Sequence, residues 1–117
     1  MDNPPDQPCE VIITAPDRAW LQSFVRRLVD DRLAAAGHVD TMHTTYWWAG
    51  EINETDEARA VLHTRTAHID AIAVRTREEH PYEVACVAAT PIVAGEPEYL
   101  AWITDETACE DQGTRPA

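Results

Sequence analysis

The sequence contains no lysine, and all nine of its basic residues are arginines. Schiff-base catalysis needs a lysine amine, and the P-loop motif needs a lysine that reaches a bound phosphate. This single absence excludes both mechanisms and the enzyme classes that depend on them.

Positive charge of any kind is scarce. Twenty-one acidic residues outweigh the nine basic ones, and the formal net charge is −12. Nucleic acids and anionic membranes are bound through clustered basic side chains that neutralise phosphates, so neither is an expected partner. No segment has the pattern of a secretory signal or the run of about 18 apolar residues that a membrane span needs. We therefore expect a cytoplasmic protein.

Cysteine is limited to Cys9, Cys86 and Cys109, an odd number at wide spacing. This pattern fits neither a disulfide framework nor a structural zinc site. Cys86 falls inside a predicted apolar strand, where an inert packing role is expected.

What the sequence does contain is a regular alternation of strand and helix patterns. Apolar spacing predicts strands at about 11–14, 38–48, 52–66 and 84–92, and helices at about 17–36, 67–80 and 97–103. Gly37 is the expected stop of the first helix. The second and third strands form a long hairpin that turns at Gly50.

The order βαββαβ is typical of the ferredoxin-like α+β fold, an antiparallel four-stranded sheet with two helices on one face, here with an extra C-terminal helix. We predict one domain at 10–108, between a flexible leader at 1–9 and a disordered tail at 109–117. The other sheet face is predicted to be uncovered, although the hairpin carries large apolar side chains. These are Met42, Tyr46, Trp47, Trp48, Ile52 and Val61. Exposed apolar surface of this extent indicates an assembly.

A run of polar donors from His80 to Val84 lies at the junction between the second helix and the last strand. His80, Tyr82 and Glu83 offer an imidazole, a phenol and a carboxylate, which suit a borderline metal such as copper or zinc, or an acid–base pair. Three adjacent side chains cannot all point at one atom. The alternative is structural: His80 caps the helix, Tyr82 fills an interface, and Glu83 pairs with an arginine such as Arg65.

The hairpin supplies a second set of candidates. Pairing about the turn brings His38 and His63 close together across the strands, and two histidines with a nearby carboxylate would suit a late transition metal. Solvent-exposed histidines are the alternative, as for His43 and His68.

Trp47 and Trp48 are adjacent and must face opposite sides of their strand, so we expect one inward and one toward a neighbouring subunit or cleft. The acidic residues beyond the turn are expected to form a solvated hairpin tip. They are Glu51, Glu54, Asp56 and Glu57.

Six collinear segments over about residues 10–108 resemble the CutA family of divalent-cation tolerance proteins. They are TAPD at 14–17, RLAA at 32–35, YWWAG at 46–50, TR at 64–65, HPYEV at 80–84 and PEYLAWI at 97–103. The resemblance implies a ferredoxin-like fold, similar in topology to PII signalling proteins, and a homotrimer whose sheets pack around a threefold axis. This chain departs from the family pattern where Ala36 replaces a cysteine, His63 replaces a lysine, and Ala85 and Cys86 replace Pro-Glu.

The resemblance implies a binding protein. Such a CutA-like homotrimer would bind a divalent metal or a small ligand at clefts between subunits, in metal tolerance or PII-like signalling. Its candidate metal ligands are His80, Glu83, His38 and His63.

A second hypothesis is a CutA scaffold repurposed as a small-molecule biosynthetic enzyme. The inter-subunit pocket would be lined by Trp48, His63, Arg65, His80, Tyr82 and Glu83. Arg65 would hold a substrate carboxylate while His80 or Glu83 moves a proton, with Tyr82 as the orienting donor. A trimerising scaffold without a ligand is a third hypothesis.

Overall fold

The computed structural model describes residues 6–108. Its elements are β1 (Pro8–Ala15), α1 (Arg18–Asp30), β2 (Ala36–Trp48), β3 (Glu51–Arg65), α2 (Ile69–Glu79), β4 (Val87–Pro91) and α3 (Pro97–Glu106). All strand pairs are antiparallel, in the sheet order β2-β3-β1-β4. The predicted ferredoxin-like α+β fold is confirmed. No helix within 6–108 is long and apolar enough to cross a membrane.

One face of the sheet forms the core with α1 and α2. Because side chains alternate along a strand, Val11 and Ile13 of β1 point to the same face as Ala60 and Leu62 of β3. All four are fully buried. The helices contribute apolar side chains at helical spacing, namely Leu21, Phe24, Val25 and Leu28 of α1 and Ile72 of α2.

The end of α1 differs from the prediction, because the helix stops at Asp30 rather than near Ala36. Arg32 adopts a left-handed conformation (φ 64°). The Arg32 amide then donates to the Val29 carbonyl at 3.1 Å, and the Leu33 amide donates to the Leu28 carbonyl at 2.9 Å. This pair of bonds is a Schellman motif, which glycine usually forms.

Gly37, the expected helix stop, lies instead in β2. A Cβ atom at this position would lie 2.4 Å from Cγ1 of Val25. The glycine therefore lets β2 approach α1 closely, and its role is packing rather than helix termination.

The predicted strand at 84–92 is also shorter than expected, since β4 covers only 87–91 and residues 81–86 are irregular. Cys86 is exposed and precedes the strand, so the predicted packing role is wrong for the isolated chain. At the other end, β1 begins at Pro8, so Pro8 and Cys9 belong to the sheet rather than to the leader. The predicted tail at 109–117 lies outside the described residues.

The second sheet face is partly covered by α3, which the prediction of an uncovered face missed. His63 and Arg65 alternate with the buried Leu62 and Thr64, so their side chains point away from the α1–α2 core. Nδ1 of His63 lies 2.6 Å from the Tyr99 hydroxyl of α3. The helix therefore lies over this face at the end where β1 begins.

Candidate functional site

The hairpin of β2 and β3 extends beyond the rest of the sheet. The last β1 residue to pair with β3 is Ala15, opposite Ala58. Residues 42–57, which we call the ribbon, are therefore a two-stranded extension that no third strand from residues 6–108 joins. Its turn has positive φ angles at both central residues, Ala49 and Gly50, as the right-handed twist of a hairpin requires.

Large aromatic side chains remain exposed on the ribbon. Trp47 and Trp48 face opposite sides, as predicted, but they are 71% and 52% exposed. The expectation that one of them points inward is therefore wrong for a single chain. A two-stranded ribbon is marginally stable in water on its own, and its aromatic surface is suited to contact with another molecule.

An acidic residue with a largely buried side chain lies at the root of the ribbon. Glu57 is only 8% exposed, whereas the prediction placed it in a solvated tip with Glu51, Glu54 and Asp56, which are exposed. Among the described residues, Glu57 forms no hydrogen bond or ion pair. Its carboxylate oxygens remain accessible at the surface, so a partner from outside these residues can reach them.

A second unsatisfied polar group lies beside it. The Thr44 hydroxyl oxygen is fully buried and has no hydrogen-bond partner in the described part of the chain. Thr44 pairs with Thr55, and Glu57 pairs with Met42, so both side chains lie on the same ribbon face as diagonal neighbours. Tyr46 lies on that face as well, two residues farther along β2.

Tyr82, which is 39% exposed on the loop that follows α2, lies near enough to Glu57 and Tyr46 to feel their charges. Its pKa is raised, first by burial and then by the nearby Glu57 and Tyr46 groups. The phenol is therefore neutral at physiological pH. We call the group formed by Thr44, Tyr46, Glu57 and Tyr82 the Glu57 site.

His80 holds the Tyr82 loop against the end of β1. The ring is buried, Nε2 lies 2.6 Å from the Thr14 carbonyl oxygen, and Nδ1 accepts a hydrogen bond from the Tyr82 amide at 3.0 Å. These contacts require the tautomer with hydrogen on Nε2. Both ring nitrogens are thus occupied, and the side chain joins the loop to β1. His80 is also the C-cap residue of α2, as the structural alternative predicted, because its backbone amide donates to the Thr76 carbonyl at 2.8 Å.

Glu83, by contrast, is exposed and forms no polar contact with any described residue. Its expected arginine partner is engaged elsewhere: Arg65 forms an ion pair with Asp6 and donates to the hydroxyl and carbonyl oxygens of Thr107. An Arg65–Glu83 pair would have to displace these contacts.

The predicted approach of His38 to His63 is confirmed, with ring centroids 5.3 Å apart. However, Nδ1 of His63 contacts the Tyr99 hydroxyl, and Nε2 lies 2.9 Å from Oε2 of Glu10. Neither nitrogen of His63 is free for a metal. The hairpin register brings the two histidines together, but the contacts of His63 serve the docking of α3.

The six predicted pocket residues occupy three places in one chain. His63 and Arg65 lie under α3, and the run from His80 to Glu83 follows α2. Trp48 pairs with Glu51 near the turn, roughly 40 Å along β3 from His63 at about 3.3 Å per residue. Any site that combines all six must draw them from different subunits.

The described residues of one chain also offer no set of ligands for copper or zinc. Within residues 6–108 of one chain, no group of three histidine, cysteine or acidic side chains is placed to hold a metal ion. The candidate metal ligands therefore do not form a metal centre within this chain.

Sequence reasoning missed Thr44, Tyr46 and Glu57 as site residues. In the sequence, Glu57 is one of several acidic residues after a turn, and nothing in that pattern separates it from its exposed neighbours. The sequence feature that could have identified Glu57 is its position directly before the alternating small residues Ala58 and Ala60, where the ribbon joins the core.

Comparison with known proteins identifies related chains. The family model described as CutA1 divalent ion tolerance protein matches residues 9–106. The divalent-cation tolerance protein CutA of Thermus thermophilus is 34% identical over 98 residues, which are 83% of this chain and 95% of that protein. The bovine Protein CutA is 32% identical over 105 residues, which cover 89% of this chain. The match spans only 60% of the bovine protein.

A solved structure shows the same architecture. The structure of the periplasmic divalent cation tolerance protein CutA from Archaeoglobus fulgidus superposes with a TM-score of 0.83 at 27% sequence identity. The alignment covers 86% of this chain and 98% of that one.

Proposed function

This chain belongs to the CutA1 divalent ion tolerance family, and from that premise we propose that it acts as a homotrimer that binds its ligand in clefts between subunits. The observation that carries the proposal is the Glu57 site at the root of the exposed aromatic ribbon, where the Glu57 carboxylate and the buried Thr44 hydroxyl have no partner among residues 6–108. A neighbouring subunit that packs on the ribbon would turn this open surface into a cleft. Metal tolerance or PII-like signalling would follow from ligand binding there.

For a divalent metal such as copper or zinc, the proposal requires ligands from more than one subunit. Within residues 6–108, Glu83 is exposed without a polar partner, and the His38 ring makes a T-shaped contact with the His63 ring and no side-chain hydrogen bond. Both are available to a neighbour, whereas His80 and His63 would first have to give up their present hydrogen bonds. The metal would then be cargo held at the subunit boundary.

Light scattering and calorimetry test this proposal together. We expect the mass of a trimer in solution, and binding of Cu²⁺ or Zn²⁺ that Glu83→Ala weakens without dissociating the trimer. Glu78→Ala, which removes an exposed carboxylate from α2, is the matched control and should bind normally. A monomeric protein, or metal binding unaffected by Glu83→Ala, contradicts the proposal.

A cytoplasmic location remains a prediction. The Archaeoglobus fulgidus relative is described as periplasmic. Fractionation of the native host, with antibody detection of the full chain, separates the two locations.

A further inference from the structure

Glu57 has no ion-pair partner within residues 6–108, although its side chain is largely buried. The cation nearest to it along the same face of β3 is Arg59, two residues away. That guanidinium already makes a bidentate contact with Asp40, with nitrogen–oxygen distances of 2.8 and 3.2 Å. The charge of Glu57 is therefore left for a group outside the chain to balance.

The other groups of the site favour a particular kind of cation. Tyr46 and Tyr82 present aromatic rings, whose π faces attract organic cations. The Thr44 hydroxyl adds an acceptor for an N–H donor. A hydrated metal dication fits less well, because it needs several anionic or strongly donating ligands. Here the site offers one carboxylate, and the raised pKa of Tyr82 keeps that phenol neutral.

We propose that the Glu57 site binds a small organic cation of the primary-amine class. The ammonium group would donate to the Glu57 carboxylate and the Thr44 hydroxyl, while the attached carbon chain lies against Tyr46 and Tyr82. This inference rests on the proposed ligand-binding function and specifies the chemistry of the ligand.

Calorimetry on the full-length protein at pH 7.5 tests the inference with three probes. Butylammonium should bind, and 1-butanol, which has the same length but no charge, should not. Tetramethylammonium, a cation without N–H donors, should bind at least tenfold more weakly than butylammonium. Equal heats for butylammonium and 1-butanol, or no butylammonium binding, overturn the inference without any variant.

Variants then locate the binding site. Glu57→Gln keeps the shape of the side chain and should weaken butylammonium binding at least tenfold. It should leave the oligomeric mass and the melting temperature nearly unchanged, because the carboxylate has no partner within residues 6–108. Glu51→Gln makes the same change of charge at an exposed position on the same ribbon face and should bind normally.

The outcomes separate this inference from the proposed function. A trimer that binds Cu²⁺ or Zn²⁺ but not butylammonium overturns the inference alone. If Glu57→Gln dissociates the assembly, the carboxylate pairs with a cation of the neighbouring subunit, and the inference is wrong. A monomer overturns the proposed function, whatever butylammonium does.

Discussion

β2 and β3 pass through two regions of different character. In the body of the sheet β3 lies between β2 and β1, helices cover the core face, and residues such as Ala60 and Leu62 are fully buried. Within residues 6–108, no third strand and no helix covers the ribbon, and four large apolar side chains are exposed there: Tyr46, Trp47, Trp48 and Ile52. The same two strands therefore contribute to the core at one end and form an exposed apolar surface at the other. The Glu57 site lies where the two regions meet.

A core substitution in the body of the protein should have the largest effect, which is on the free energy of unfolding. Phe24 is fully buried and its ring stacks on Trp20 at 5.1 Å. We expect Phe24→Ala to lower the free energy of unfolding by about 3–5 kcal/mol, because the core cannot refill the cavity. Urea unfolding measures this change. Val93→Ala, at a highly exposed position, is the control and should stay within about 0.5 kcal/mol.

Substitutions in the ribbon should affect self-association of the chain rather than its folding. Replacing Trp47 and Trp48 together by alanine should weaken self-association by about 2–4 kcal/mol, since tryptophans at interface centres dominate binding energy. Sedimentation equilibrium measures the dissociation constant. The far-ultraviolet circular dichroism spectrum should change little, because neither ring is in the core. An unchanged dissociation constant would show that the ribbon is not an interface.

Substitution of His80, which joins the Tyr82 loop to β1, should have an intermediate effect on the free energy of unfolding. His80→Ala leaves the Thr14 carbonyl and the Tyr82 amide without their partner, which should cost about 1–3 kcal/mol of unfolding free energy. Tyr82→Phe keeps the ring and should have the stability of the native protein. If the two variants are equally stable, His80 does not hold the loop to the body.

The smallest effect should be a pH dependence within the ribbon. His43 lies between two carboxylates, with Nε2 2.9 Å from Glu54 and Nδ1 3.0 Å from Asp56, and its pKa is raised by these hydrogen bonds and charges. The stabilisation is complete below the unfolded pKa of about 6.5 and is lost as pH rises through the higher folded pKa.

His43→Gln should therefore be slightly less stable than the native protein at pH 5.5 and equally stable at pH 9. Urea unfolding at the two pH values measures the difference. The comparison variant in the body of the protein is His68→Gln. The His68 ring contacts the Thr107 carbonyl, whereas the His43 ring contacts two carboxylates. A stability difference for His43→Gln that grows with pH would contradict the assignment.

Much of the fold could be predicted from residue patterns, and the failures have local causes. The helix pattern of α1 continued past Asp30 because Leu33 and Ala34 suit a helix, and only the left-handed Arg32 ends it. The apolar run from Val84 onward looked like one strand, but the bonds of the His80 ring hold residues 80–82 in a loop. α3 was recognised, yet its contact with His63 was not, because sheet-face coverage depends on tertiary packing.

The candidate site was predicted less well than the fold. Tyr82 was named from the motif, and the approach of His38 to His63 followed from the hairpin register. Glu57 and Thr44 were not predicted to be site residues, because their exposure depends on side chains that are distant in the sequence.

The sequence by itself determined the order of the elements, the ferredoxin-like fold and the family, because apolar periodicity and turn residues act over a few neighbouring positions. Only the tertiary structure decided which polar groups are left without partners. Burial of Glu57 results from two strands and a loop meeting in space, and no local pattern records that meeting. The ribbon outside the core and the occupied nitrogens of His80 and His63 were likewise decided by packing.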